Sequence, residues 1–251
     1  MLRGVVNLKS NMNINGVGTI TDGEYNAVTI NGMGKLKGNL KANTIDVSGS
    51  SSGDGSLECE ELKVNGHMKY EGIVTTKESL VVNGTMRVTK DLFSSDIKVS
   101  GNLKVEGACT FDKAVITGGF NVEGNCEGNN FTCNGALNIQ GLLSADNVDI
   151  YLYKTANVKE IGGENIRVRT DEKIVKLPIV GKFFSNQLVC ETIEGDSIYL
   201  ENTIAKKVSG NNIIIGRGCT IDEVNYKDTV EVDLGSNVSK KTYTGKLNLL
   251  K

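Results

Sequence analysis

Between residues 28 and 143 apolar side chains return at fixed intervals, with polar residues interleaved. One column reads Val28, Ile45, Leu62, Leu80, Ile97, Ala114 and Phe131; another, two positions later, reads Ile30, Val47, Val64, Val82, Val99, Ile116 and Cys133. Two more read Leu36, Gly53, Tyr70, Val88, Val105, Val122 and Ile139, then Leu40, Leu57, Val74, Leu92, Cys109, Cys126 and Leu143. Within each repeat the apolar positions alternate with polar ones, the pattern of strands with one buried face. A 3.6-residue period is lacking, and glycine recurs too often for helix interiors.

Glycines punctuate the same register. Gly32, Gly49, Gly66, Gly84, Gly101, Gly118 and Gly135 are separated by 17, 17, 18, 17, 17 and 17 residues. A second series, six residues behind, reads Gly38, Gly55, Gly72, Lys90, Gly107, Gly124 and Gly141. Both series are expected at corners where glycine takes positive φ, and the preceding Asn or Ser (Asn31, Ser48, Asn65) is a turn residue. A third corner is polar, as at Glu60-Glu61 and Asp112-Lys113. Three short strands and three corners in about 17 residues describe one turn of an all-β, three-sided parallel β-helix, a β-solenoid whose coils share their stability with their neighbours.

A 16-residue copy precedes these repeats, carrying Met12, Ile14, Gly16, Gly18 and Ile20. After Gly141 the columns continue through Val148, Ile150, Ile166 and Val168, and short β patterns resume at Ile198–Leu200, Ile213–Ile215 and Val230–Val232. The expected organisation is a leader at 1–10, one β-helix domain at 11–245 with an irregular segment at 170–187, and a tail at 246–251.

Composition narrows the classes. Thirty glycines with one proline, Pro178, exclude collagen-like and proline-rich disordered chains. A net charge of -2 offers no basic surface for nucleic acid. Leu2 to Leu8 is interrupted by Arg3, Gly4 and Asn7, which does not read as an export signal, and no run of about 18 apolar residues is present. The expected location is cytoplasmic, with Cys59, Cys109, Cys126, Cys133, Cys190 and Cys219 as reduced thiols.

The chain resembles the bactofilins, bacterial polymer-forming cytoskeletal proteins. The likeness rests on the repeated pattern seen in Ile97-Lys-Val-Ser-Gly-Asn-Leu-Lys-Val-Glu-Gly107. It rests also on a segment like the tail of longer members, Ile193–Thr203 followed by Val208–Asp222. The resemblance implies a right-handed β-helix and a non-enzymatic scaffold that forms filaments without nucleotide.

Candidate chemistry is sparse. Cys109 and Cys126 fall in an inward column and read as core thiols, since neither a paired CxxC set nor a histidine cluster accompanies them. His67, the single histidine, follows corner Gly66 at an outward position with no carboxylate recurring there to orient a general base. Glu58, Glu60 and Glu61 lack the cleft that a glycosidase pair requires, and Gly32-x-Gly34 and Gly53-x-Gly55 belong to the repeat rather than to a phosphate loop. No catalytic, metal, cofactor or nucleotide site is expected.

Three and five residues after the first-series corners run a mostly basic column (Lys35, Ser52, Lys69, Arg87, Lys104) and a mostly acidic one (Lys37, Asp54, Glu71, Thr89, Glu106). They read as a solvated face with cross-strand charge pairs, or more sharply as a lateral contact between filaments. Open strand edges at the ends of a β-helix template pairing with another chain, so the expected partner is a second copy, end to end. Leu2, Val5, Val6 and Leu8 in the leader, with Leu247, Leu249 and Leu250 in the tail, are the candidate interface. The leader could also touch membrane, but it buries too little area for stable anchoring, and an end cap is preferred. The alternatives are a left-handed hexapeptide-type acyltransferase, whose period would be 18, and a carbohydrate-binding surface solenoid.

Overall fold

The structure, a computed structural model, describes residues 9–170 and 186–245. Leu2, Val5, Val6, Leu8, Leu247, Leu249 and Leu250 lie outside the described residues, as do 171–185 of the segment expected to be irregular. The chain divides into two compact units, residues 1–110 and 111–251. Every regular element among the described residues is a β-strand.

The first unit holds β1 (Ser10–Ile14), β2 (Val17–Ile20), β3 (Gly23–Ile30), β4 (Met33–Leu36), β5 (Leu40–Val47), β6 (Ser50–Val64), β7 (His67–Val82), β8 (Thr85–Val88), β9 (Leu92–Val99) and β10 (Asn102–Val105). Strands pair in parallel with their copies one repeat later: Ile45 with Leu62, Val47 with Val64, Lys35 with Ser52. The unit is therefore a stack of coils of about 17 residues, with 4.8 Å expected between neighbouring strands. The polar corner does not interrupt the strand. In β5 the burial pattern is BeBeeBiB, where two consecutive exposed residues, Asn43 and Thr44, mark the bend between two sides.

Each coil turns six side chains inward, two per side. The four columns legible in the sequence supply four of them, and Val28, Ile30, Leu36, Leu40, Ile45, Val47, Leu57, Leu62 and Val64 are buried almost completely. The other two columns read Gly34, Ser51, Met68, Met86 and Ala42, Cys59, Thr76, Ser94. Small and polar residues on the inward columns are accommodated locally, apart from Ser51, whose buried hydroxyl has no partner among the described residues. Tyr70 fills the space above Gly53, where any Cβ would collide with the tyrosine ring, and its hydroxyl donates to the Asp54 carbonyl at 3.0 Å. Thr76 donates to Ser94 at 2.6 Å, so this buried hydroxyl pair is satisfied within the core.

The first-series corners correct the expectation of positive φ. None of Gly32, Gly49, Gly66, Gly84, Gly101, Gly118 and Gly135 has it; in the second series only Gly38 (φ 79°) and Gly55 (φ 87°) do. Glycine is needed instead because coils approach closely. At Gly66 a Cβ would overlap the Gly49 carbonyl oxygen, and at Gly49 that of Gly32. That approach allows the Val47 carbonyl to accept from both Asn65 N–H (2.8 Å) and Gly66 N–H (3.0 Å), while His67 N–H donates to Gly49 at 2.9 Å. Asparagine side chains form parallel ladders outside: Asn43 donates to Asn26 and Asn26 to Asn11, each at 2.9 Å.

The second unit holds most of β11 (Cys109–Ile116), then β12 (Gly119–Val122), β13 (Cys126–Cys133), β14 (Ala136–Tyr151), β15 (Ala156–Arg169), β16 (Leu188–Leu200), β17 (Thr203–Ile215), β18 (Thr220–Val232) and β19 (Asn237–Tyr243). Its pairings are again parallel, but coil length varies. Phe131 pairs with Val148, Val148 with Ile166, Ile166 with Ile198, Ile198 with Ile213, and Ile213 with Val230. The long step from Ile166 to Ile198 contains residues 171–185. Phe111, Phe120 and Phe131 cluster in the core, with ring centroids 5.9 and 6.1 Å apart.

Candidate functional site

A solenoid needs either caps or partners at its terminal coils. At the first coil β1 pairs with β3 and β2 with β4, and among the described residues no strand pairs on their other side. The inward residues of this coil include Met12, Ile14 and Ile20. Gly16 occupies the corner-glycine column, yet no heavy atom lies within 4 Å of where its Cβ would stand, unlike Gly32, Gly49 and Gly66 above it. At the last coil β19 pairs with β18 through Asn237–Tyr243, while Thr229–Val232 of β18 pair with Asn212–Ile215 on one side. Val230, Val232 and Val238 are only half-buried there, and Tyr243 is exposed.

Sequence reasoning placed the candidate interface in the leader and tail and missed these edge residues. The signal was present in the early copy containing Met12, Ile14 and Gly16, whose strands have no pairing on their other side among the described residues.

The six cysteines are buried and free. Burial pushes the thiols of Cys59 and Cys190 up to about 12 and those of Cys133 and Cys219 up to about 11. Protonated thiols in a dry column behave as small hydrophobes. Cys109, Cys126 and Cys133 are expected to react slowly with a thiol reagent in the native protein and rapidly after denaturation. Rapid native labelling of all three would contradict their inward placement. The four raised thiols bind protons that their unfolded counterparts lose above 9.0, their ordinary value. Their contribution to stability is therefore complete below that pH and lost on the way to 11–12.

His67 sits exposed on an outward corner, stacked between Ser50 and Thr85. Glu58 and Glu60 are engaged by lysines: Lys41 lies 3.0 Å and Lys77 3.3 Å from Glu58, and Lys77 lies 3.1 Å from Glu60. Lys41 first, then Lys77, hold the Glu58 carboxyl below its ordinary range. The basic and acidic columns of the first unit do form charge pairs. Lys69 pairs with Glu71, Arg87 bonds Glu106 through Nε at 2.7 Å, and Lys104 lies 3.7 Å from Glu106. Among the described residues no three His, Cys, Asp or Glu side chains converge as metal ligands.

The second unit carries a groove of about 680 Å³ whose lining includes Gly163, Gly195, Gly210, Glu160, Glu194, Lys207 and Lys227. Its acids and bases are spread over several coils. A different outer face, along β14 to β18, holds a channel of about 420 Å³ flanked by Val189 and Ile204, which are 36% and 40% exposed. Near residue 170, Glu201 accepts from the Thr170 N–H (2.8 Å), the Thr170 hydroxyl (2.9 Å) and the Tyr199 hydroxyl (2.8 Å). Burial raises the Glu201 carboxyl, but these donors and Arg217 outweigh it and hold the group below its ordinary range. With its oxygens so engaged, Glu201 serves as an anchor for neighbouring coils.

No family model and no solved structure matches the chain. It is similar to the "Uncharacterized protein YhbF" of Bacillus subtilis (strain 168), 36% identical over 105 residues, which are 40% of this chain and 41% of that protein. It is also similar to the "Uncharacterized protein YhbE" of the same organism, 36% identical over 102 residues, 40% of this chain and 42% of that protein. The chain thus spans about two fifths of the length of these curated relatives.

Proposed function

We propose that this protein is a non-enzymatic, bactofilin-like scaffold of the cell interior, assembling end to end with copies of itself and needing no nucleotide. The observation that carries this reading is the chemistry of the terminal coils. The first coil continues the strands and apolar columns of the interior through Met12, Ile14 and Ile20. The last coil keeps paired strands and Val238, although Lys241 replaces the apolar residue of the Val224 column. Gly16 keeps a corner clear that folding of the described residues does not require to be clear. A coil of a second copy stacked there would bring its backbone against Gly16, as Gly32 meets Gly16 from above. Such a junction would add parallel backbone hydrogen bonds and bury the half-exposed apolar edge.

A hexapeptide-type acyltransferase would share the solenoid architecture. His67 is the natural base for that chemistry, and its nearest stack neighbours, Ser50 and Thr85, supply no carboxylate to orient it. Electron microscopy of the full chain in plain buffer, with and without ATP or GTP, tests the scaffold reading. Filaments are expected in both samples with the same width. Filaments only with nucleotide would overturn the reading, as would their absence from both.

A further inference from the structure

On one outer face of the second unit, two neighbouring columns of side chains have an unusual order. One column reads Asn157, Val189, Ile204 and Thr220, in successive coils from β15 to β18. It places two exposed aliphatic residues side by side at its centre, flanked by polar ones. The column two positions later reads Lys159, Glu191, Lys206 and Asp222, alternating in charge. Lys206 and Glu191 form an ion pair at 3.0 Å, with side chains 70% and 51% exposed, so both remain available to an outside partner.

From this order we infer that the face pairs laterally with the same face of a second copy, running antiparallel about a two-fold axis. Such an axis, lying in the interface and perpendicular to the stack, brings each column against itself in reverse. Positive, negative, positive, negative then meets negative, positive, negative, positive. Lys159 faces the second copy's Asp222, Glu191 faces its Lys206, and Val189 faces its Ile204. A parallel arrangement would set the charge column against Asn157, Val189, Ile204 and Thr220 and leave the charges unmatched.

The patch spans four coils, smaller than a standard stable interface, so a single pair associates weakly. Repetition along a polymer multiplies it through effective concentration. In that sense the pairing deepens the scaffold reading: it would join filaments side by side with opposite polarity. Its chemistry resides in residues 157–222 of β15 to β18 and does not involve the edge residues Val230, Val232, Val238 and Tyr243.

The test exploits the burial of all six native cysteines. Full-length Val189→Cys and Ile204→Cys proteins are prepared separately, mixed, oxidised with copper–phenanthroline and resolved without reductant. The mixture is expected to give a covalent dimer, and either variant alone to give little. Adding Glu191→Lys to both partners sets lysine against lysine twice and should abolish the product. Glu191→Lys in the Val189→Cys partner combined with Lys206→Glu in the Ile204→Cys partner restores both matches and should restore the product. No excess dimer in the mixture, or a product indifferent to these charge changes, overturns the pairing. Microscopy of the same samples reports end-to-end assembly independently, so loss of lateral contact is distinguishable from loss of filaments.

Discussion

Val64→Asp is expected to unfold the first unit or to lower its denaturant midpoint severely, while Lys63→Asp, one residue away, changes it little. Val64 is fully buried, between Val47 of the coil before and Val82 of the coil after. A carboxylate there has no partner and no water, and such burial costs at least several kcal/mol or forces protonation. The disturbance also reaches two strand interfaces, because each coil rests on its neighbours. Lys63 points outward and is exposed, where substitutions usually stay within about 0.5 kcal/mol. Equal losses at the two positions would refute the inward–outward alternation on which the whole fold rests.

Gly66→Ala carries the second large effect, although it adds a single methyl group. The Cβ would overlap the Gly49 carbonyl oxygen, and that oxygen already accepts from His67 N–H at 2.9 Å. Backbone cannot step aside as a flexible side chain can, so the coils must part locally, at a cost of about 2–3 kcal/mol. Gly16→Ala is the matched control. It changes the same column at the first coil, where the methyl meets nothing within 4 Å, and the thermal midpoint of the unassembled protein should be unchanged. A Gly66→Ala protein as stable as wild type would mean that glycine occupies this column for some reason other than close approach.

These two positions also show how far the sequence could be read. Four inward columns were legible because they hold Val, Ile and Leu at nearly every repeat. The other two were hidden because their places are taken by small or polar residues: Thr76 and Ser94 pair their hydroxyls, Gly34 yields volume to Ile30, and Ser51 is buried with its hydroxyl unpartnered among the described residues. Gly53 interrupts a legible column because Tyr70, one coil later, occupies its space. The corner glycines were located correctly by spacing, but spacing cannot distinguish a positive φ from a close backbone approach, since both exclude a Cβ. Strand pairs at 15 and 17 residues in β16 to β18 match the spacings visible in the sequence. The Val189–Ile204 patch is not legible in the sequence, because two aliphatic residues at outward positions look like core until the register places them outside.

Sedimentation velocity of the full-length wild type at micromolar concentration, beside Gly16→Val, tests the central claim most directly. The scaffold account expects a broad, fast-sedimenting polymer for wild type in ordinary buffer without nucleotide. For Gly16→Val it expects a shift toward monomer with an unchanged β-rich circular dichroism spectrum, because the added side chain occupies only the space into which a second copy would stack. A wild-type protein that remains a clean monomer across salt and pH would contradict the account.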